Sequence, residues 1–181
     1  MKQKRQTNRD PVTVSFTVLI DGREKAPYQF TGLHADARQQ NRPLIVPTQW
    51  AHLETGDYTV LGLESEITVE RKSLSDLYST LGQHRARFER EHQRLAELRR
   101  AMVIIEAGWY EALNWPPPQS QLNPKTVFRT AVSWQVRYGV PWILAEDRRF
   151  AEIYTFRFLE KAWKEFRNGE TEVAAEEKTR Q

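Results

Sequence analysis

The sequence predicts an α/β fold in which a mixed central sheet is flanked by helices. Three observations predict it. A strand-like apolar run stands at residues 12–20, two shorter apolar runs around Gly62 are typical of a hairpin, and later segments alternate between helical periodicity and buried strands. The predicted order of elements is therefore β, ββ, α, β, α, β, α, with helices on both faces of the sheet.

The first half of the sheet is predicted from patterning and turn residues. Residues 12–20 alternate and then turn continuously apolar, as in a strand entering a doubly buried sheet, and the run ends at Asp21-Gly22. A loop rich in Pro, Gln and Asn precedes the hairpin at 56–72. A helix is then predicted from apolar residues spaced three, four and seven apart: Leu77, Leu81, Phe88, Leu95 and Leu98.

The second half continues with a buried strand at 101–108, a surface loop at 114–124, a helix at 125–138, a strand at 140–146 and a closing helix at 147–167. The closing helix carries two apolar lines. One comprises Phe150, Tyr154 and Phe158, and the other Ile153, Phe156, Leu159, Trp163 and Phe166. A helix apolar on two sides is usually covered on two sides, either by the sheet and a second subunit or wholly within the monomer.

The chain length and composition bound its organisation. A chain of 181 residues with 39% apolar content fits one domain, expected at 11–167, with a flexible basic arm at 1–10 and a polar C-terminal tail at 168–181. No apolar run is long enough to cross a membrane and no signal-peptide pattern is present, so we expect a soluble, intracellular protein of the cytoplasm or nucleoid. No phosphate-binding loop for a nucleotide cofactor is found.

The charged and metal-binding residue types narrow the chemistry. The net charge of +3 is a weak argument for a polyanionic partner, and the absence of cysteine excludes disulfides, thiolate nucleophiles and Cys-based zinc sites. The four histidines lack i, i+4 spacing. Any metal site must use oxygen or imidazole ligands, which favours hard cations such as Mg²⁺ or Mn²⁺.

Acidic residues and a lysine meet at the strand ends of the predicted hairpin. Residues two apart in a strand share a face, so Glu70 and Lys72 point one way and Arg71 the other. If Asp57 begins the partner strand, it lies across from Glu70. Two such carboxylates, with the Arg71 carbonyl, suit a divalent cation, and the lysine would orient water or stabilise charge during phosphodiester hydrolysis.

Each part of this arrangement also has a purely structural explanation. The Gly-Asp dipeptide alone is typical of a turn, and a strand-end Glu and Lys alone are typical of a solvated face. Ser73-x-x-Asp76 matches a helix capping box, and Asp21-Gly-Arg-Glu24 fits a turn followed by a solvated pair. The joint occurrence of four acidic groups, each at a strand end or turn, favours the metal site.

Together, "LIDGREKAPYQF" and "GDYTV…ITVERKSLSDL" resemble the XPF-type nuclease domain, which carries a D-x-R-E element and then G-D, a spacer, E-R-K, three residues and D. That domain belongs to the restriction-endonuclease-like PD-(D/E)xK superfamily. The resemblance covers about residues 14–159 and is strongest to small stand-alone bacterial and phage members. The spacer of twelve residues between Asp57 and Glu70 is longer than usual, and Gly62 inside it indicates a lengthened hairpin.

The resemblance implies a role for each matching residue. The implied metal ligands are Asp57, Glu70 and Asp21. The implied catalytic group is Lys72, Glu70, Asp57, Arg23, Glu24 and Arg71. The implied supporting residues are Asp76 and Glu106, although a glutamate at a strand end is equally well explained as solvated.

A cluster of basic residues follows the motif. Residues 85–100 carry six arginines against three glutamates. Cations on one helix face can bind phosphates and fix the register of DNA without reading its sequence, but a solvated face paired with Glu89, Glu91 and Glu97 is an equal alternative. The predicted DNA contacts are Arg85, Arg87, Arg90 and Arg94.

The predicted function is a metal-dependent DNA endonuclease. Relatives usually select branched or flapped DNA in repair, recombination or replication, often as dimers, and here a homodimer or heterodimer would form through the closing helix. The main alternative is a non-catalytic DNA-binding or scaffolding subunit of a nuclease complex. Such subunits typically lose the acidic and lysine positions that are present here. A restriction-type nuclease that reads sequence would share the metal site.

Overall fold

The predicted mixed sheet flanked by helices is present. The computed structural model describes residues 10–36 and 41–179, with side chains as far as residue 169. Its strands are β1 (Val12–Thr13), β2 (Val18–Asp21), β3 (Leu44–Ile45), β4 (Thr48–Ala51), β5 (Tyr58–Val60), β6 (Ile67–Lys72), β7 (Arg100–Ile105) and β8 (Trp142–Leu144). Its helices are α1 (Leu74–Gly82), α2 (Arg85–Glu97), α3 (Trp109–Asn114), α4 (Pro124–Tyr138) and α5 (Arg148–Thr179).

The main sheet has six strands in the order β4-β2-β5-β6-β7-β8. Strand β5 runs antiparallel to both β2 and β6, whereas the β2–β4, β6–β7 and β7–β8 pairs are parallel. Strands β1 and β3 form a separate parallel pair. The predicted hairpin is β5–β6, and Gly62 in its six-residue connection has a φ of +83°, a backbone conformation that favours glycine.

Two hydrophobic cores cover the two faces of this sheet. Met102 and Ile104 of β7 point into the core beneath α5, while Val103 and Ile105 point into the core beneath α1, α2 and α4. Each fully buried side chain of this size contributes about 1.5–3 kcal/mol. Strand alternation therefore decides which face each side chain of the central strands reaches, and it does the same for the polar residues at the end of β6.

Helix ends carry the expected capping residues. The Asn123 side chain accepts a hydrogen bond from the Lys125 amide at the start of α4, where Pro124 is the first helical residue. The helix ends at Gly139, whose φ of +70° lies in the left-handed region. This turn leads the chain directly from α4 into β8.

Several predicted elements differ from the observed ones. The strand predicted at 12–20 is split, because residues 14–17 bend away and β1 pairs with β3 outside the main sheet. Strands β3 and β4 lie where a loop was expected, and one predicted helix is two, α1 and α2, separated by Gln83 and His84. The short helix α3 was not predicted. Strands β3 and β4 and helix α3 are short segments with little hydrophobic periodicity, whereas the break between α1 and α2 interrupts a periodic pattern that continues across it.

The closing helix α5 is longer than predicted, since it continues past residue 167 to Thr179, into the segment expected to be a polar tail. Phe156 and Leu159 are buried against the sheet, whereas Phe150 is 52% and Tyr154 37% exposed. The alternative of a helix wholly buried within the monomer therefore fails at these two residues. The expected basic arm falls almost entirely outside the described residues. No helix in the described part of the chain is long and apolar enough to cross a membrane.

Candidate active site

The site is organised by the antiparallel pairing of β5 with β6. Tyr58 pairs with Val69, and the Asp57 amide donates to the Val69 carbonyl at 2.8 Å. The Arg71 amide donates to Asp57 Oδ2 at 2.7 Å. Asp57 therefore lies across from Glu70, as predicted, although it immediately precedes β5 rather than opening it.

Gly56 allows Asp57 to reach this position. Its φ of +79° lies in the left-handed region, and a Cβ atom here would be 2.0 Å from Thr68 Oγ1 on the neighbouring strand. Any other residue would strain the backbone and collide with β6. The Gly-Asp dipeptide is thus a structural turn and also the means by which the carboxylate meets the end of β6.

Glu70 and Lys72 share the sheet face that packs against α1 and α2, as alternation predicts. Glu70 is only 3% exposed and forms an ion pair with Lys72. The Lys72 ammonium also lies 4.9 Å from the centroid of the Phe88 ring, within cation–π range. The strand end thus presents a carboxyl group and an ammonium group held together on one side.

Burial governs the protonation of these groups. It raises the pKa of Asp57 to about 6, with the nearby charge of Lys72 opposing the shift. It also raises the pKa of Glu70 well above its usual value, and the charge of Asp57 adds to that effect. Burial lowers the pKa of Lys72, but the charges of Glu70 and Asp57 outweigh it, so the net pKa is raised. Lys72 is therefore a fixed cation at neutral pH rather than a proton acceptor.

This donor set fits a hard divalent cation. Two crowded, buried carboxylates repel each other, and a cation between them would relieve that repulsion while meeting only oxygen ligands. In the described residues, no three acidic or histidine side chains stand close enough to hold a metal ion together. Water, a backbone carbonyl or a substrate phosphate would therefore complete the coordination, which is usual for Mg²⁺.

At the end of β2, both carboxylate oxygens of Asp21 accept hydrogen bonds. Its Oδ1 accepts hydrogen bonds from the Arg23 amide at 2.8 Å and Nε at 2.7 Å, and its Oδ2 accepts from the Arg23 guanidinium at 3.0 Å and the Leu53 amide at 2.8 Å. Burial raises the pKa of Asp21, but these hydrogen bonds outweigh it and hold the pKa below its usual value. Its predicted metal role remains a prediction. The observed bonds tie the end of β2 to the segment after β4.

Arg71 points to the opposite face of the sheet, as predicted, where it joins a buried ion network. Its guanidinium lies 2.7 Å from Glu106 Oε2 and 3.3 Å from Glu24 Oε1. Arg148, at the start of α5, lies 2.8 Å from Glu106 Oε1. Both arginines also lie over the Tyr28 ring, at 5.8 and 5.0 Å from its centroid. The solvated alternative for Glu106 is therefore wrong, and the network fixes Glu24 and its loop against the sheet.

Ser73 and Asp76 form the helix cap that the sequence suggests. The Asp76 amide donates to Ser73 Oγ at 3.1 Å, and Ser73 Oγ donates to Asp76 Oδ2 at 2.6 Å. The carboxylate thus meets the hydroxyl, whereas a capping box would have it accept from the Ser73 amide. Asp76 both starts α1 and borders the site.

An open cavity of about 530 Å³ lies over this strand end. The predicted site residues lining it are Asp21, Arg23, Glu24, Asp57, Arg71, Lys72, Asp76 and Arg94. Glu70 and Glu106 do not line the cavity but pair with Lys72 and Arg71, which do. The predicted catalytic and metal-binding side chains are thus brought into one place.

The predicted DNA-contacting arginines divide into two groups. Arg94 borders the cavity and donates to Thr55 Oγ1 at 3.2 Å. Arg87 and Arg90 are exposed and, within the described ranges, pair with no carboxylate. Arg85 instead packs on α4, donating to Thr130 Oγ1 at 2.8 Å. Arg85 is therefore separate from the other three.

The alternative in which the arginines of α2 pair with glutamates of the same helix is wrong for Glu89. Its carboxylate accepts from the Arg137 guanidinium at 3.1 Å and the Tyr138 hydroxyl at 2.9 Å, both on α4. Glu91, treated as part of that solvated face, lines the cavity instead. Its spacing of three from both Phe88 and Arg94 was the available signal in the sequence.

Comparison with known proteins agrees with this geometry. A family model of the ERCC4 domain matches residues 20–157. The chain belongs to the ERCC4 domain family. That match confirms the resemblance to XPF-type nuclease domains. None of the curated proteins matches the chain.

Solved structures with a similar fold include XPF from Aeropyrum pernix, with a TM-score of 0.60 and 18% identity, over 86% of this chain and 69% of that one. A second is XPF from Aeropyrum pernix in complex with DNA, with a TM-score of 0.58 and 20% identity, over 82% of this chain and 66% of that one. This chain thus spans about two thirds of each. The predicted mixed central sheet flanked by helices is thus confirmed, and it matches the fold of these XPF structures.

Proposed function

We propose that this ERCC4 domain is a divalent-metal-dependent endonuclease that hydrolyses phosphodiester bonds of DNA. The observation that carries the proposal is the convergence of Asp57, Glu70 and the charged Lys72 beneath an open cavity. The family assignment and the solved complex of an XPF protein with DNA support DNA as the substrate. A DNA substrate would place the protein in the cytoplasm or nucleoid.

The side chains divide the work of hydrolysis. Asp57 and Glu70 would hold Mg²⁺ or Mn²⁺, which when bound polarises a phosphoryl oxygen and lowers the pKa of a coordinated water. Lys72, kept protonated by the two carboxylates, would stabilise negative charge developing on the phosphate. Arg71 and Glu106 act from the other face, where their ion pair holds the strand end and Glu24 in place.

The face of α2 next to the cavity would bind the DNA backbone. Arg87, Arg90 and Arg94 are exposed, and their charges are free of carboxylate partners in the described part of the chain. Arginines in this state bind phosphates without reading sequence. Arg85, held against Thr130 on α4, would contribute less.

A second copy of the chain would help to select branched or flapped DNA in repair, recombination or replication. The exposed aromatic line on α5, with Phe150 and Tyr154, supports a contact there, since exposed apolar patches commonly mark interfaces. Two nuclease domains related by symmetry would present two DNA-binding faces at once. Substrate shape would then be read by the pair.

Cleavage of end-labelled flap, fork, four-way-junction and linear duplex DNA, each with Mg²⁺, Mn²⁺ or EDTA, tests the proposal. We expect cuts near the branch that require the metal. Metal-dependent cuts at fixed sites in linear duplex would instead support a restriction-type nuclease. DNA binding without any cleavage would favour a non-catalytic subunit and overturn the proposal.

A further inference from the structure

Glu91 and Arg94 line the cavity from one face of α2. Three residues at spacings of three lie along this face: Phe88, Glu91 and Arg94. The ring of Phe88 contacts the Lys72 ammonium, with 4.9 Å from nitrogen to ring centroid. Arg94 Nε is 3.2 Å from Thr55 Oγ1, two residues before Asp57. Glu91, between these two anchors, therefore faces the space between the lysine and the Asp57 loop.

Glu91 shares a cavity with the proposed active-site groups. Asp57 and Lys72 line the same space. Glu91 is half-buried and lines the cavity. Within the described residues it has no hydrogen bond or ion pair that would hold its carboxylate elsewhere, in contrast to Glu89 on the same helix.

We propose that Glu91 is a third acidic group of the cation site, acting through a hydrogen bond that its carboxylate accepts from a water of hydration of the divalent cation. The inference rests on the proposed metal-dependent cleavage. Its action is indirect, because no three acidic side chains of the described chain are close enough to hold an ion directly, and Mg²⁺ usually keeps several of its waters. Glu91 is thus a positioning residue, supplied by a helix outside the β5–β6 motif.

The same carboxylate has a second effect of opposite sign. Without a cation, its negative charge lies near the position of the DNA phosphates and opposes their binding. Neutralising Glu91 would therefore lower the affinity for the divalent cation but raise the affinity for DNA in EDTA. A residue that only supported the fold would not move these two affinities in opposite directions.

The test is a titration of Mn²⁺ into the whole chain without DNA. The concentration of free Mn²⁺ is measured by electron paramagnetic resonance at each step. We expect Glu91→Gln to weaken Mn²⁺ binding by about 10-fold to 100-fold, as for other residues that orient metal-bound groups. Glu91→Asp, which keeps the charge, should restore part of the affinity. The matched control is Glu89→Gln on the same helix, which should bind Mn²⁺ like the unaltered chain. DNA affinity in EDTA is measured for each variant.

The outcomes separate this inference from the proposed function. If the unaltered chain binds Mn²⁺, Asp57→Asn loses it and Glu91→Gln keeps it fully, the role of Glu91 is overturned while the site stands. Equal losses in Glu91→Gln and Glu89→Gln would also overturn it, since the effect would then be one of helix charge alone. If the unaltered chain binds no Mn²⁺, both the site and the role of Glu91 fail.

Discussion

Asp57 is a carboxylate placed where burial disfavours its charge. Its pKa of about 6 in the folded chain exceeds the value of about 3.9 expected when unfolded, so between these values the folded state binds more protons. The free energy of unfolding therefore falls as pH rises through this window. At neutral pH the buried, ionised Asp57 therefore lowers the stability of the metal-free protein, and the same carboxylate is a proposed ligand of the cation.

Asp57→Asn should remove this destabilisation. The asparagine keeps an oxygen to accept from the Arg71 amide but carries no charge. In EDTA, we expect the variant to be more stable than the unaltered chain at pH 7.5 by about 1–3 kcal/mol, and the difference to fall to about a third of that near pH 4.5. Urea unfolding at the two pH values measures it. A difference that does not change with pH would contradict the raised pKa.

Residue by residue, strand alternation sufficed to predict that Glu70 and Lys72 share one face and Arg71 the other. The hairpin likewise predicted that Asp57 faces Glu70. Sequence reasoning could not determine that Glu106 is buried, because its partner Arg148 lies 42 residues away on another element. Sequence reasoning missed the place of Glu91 for the same reason, because it lines the cavity only through the packing of α2 in three dimensions.

At the scale of elements, α2 is the part of the molecule that faces the DNA backbone in our proposal. Replacing Arg87, Arg90 and Arg94 together with glutamine should weaken DNA binding and reduce the slope of log affinity against log salt by about one for each phosphate that an arginine no longer neutralises. Fluorescence anisotropy at several salt concentrations measures the slope.

Arg137→Gln on α4 is the matched control for the arginines of α2. The Arg137 guanidinium already pairs with the Glu89 carboxylate on α2, so it is not expected to neutralise a phosphate. We expect its salt slope to equal that of the unaltered chain. An unchanged slope in the triple variant would show that this helix face is only solvated.

The long helical segments were predicted as helical, although α1 and α2 were merged and the end of α5 was placed at residue 167, whereas the short elements β3, β4 and α3 were missed. The helix α4 was predicted at 125–138, within a residue of its observed bounds, and asparagine, proline and glycine mark its ends. Strand β4 was missed, since Thr48–Ala51 lies at the sheet edge, largely exposed, and lacks an apolar run. The break between α1 and α2 interrupts a pattern that continues in phase across it, so spacing alone did not indicate two helices.

At the scale of the whole molecule, the exposed aromatic line of α5 predicts a dimer. Phe150→Glu with Tyr154→Glu should shift the chain from dimer to monomer in sedimentation equilibrium, because a charge cannot be buried unpaired in an apolar interface. Val136→Glu on α4, whose side chain is 83% exposed, is the control and should leave the dimer intact. A monomeric unaltered chain, or dissociation by Val136→Glu alone, would contradict an interface on α5.

The most direct test of the site is cleavage of the best DNA substrate by Asp57→Asn and Lys72→Ala in Mg²⁺, with DNA affinity and thermal unfolding measured beside it. We predict that both variants stay folded, keep most of their DNA affinity and lose at least about a hundredfold in cleavage rate, because each lacks a group that stabilises the transition state. Cleavage by either variant at the rate of the unaltered chain would contradict the assignment of this strand end as the active site.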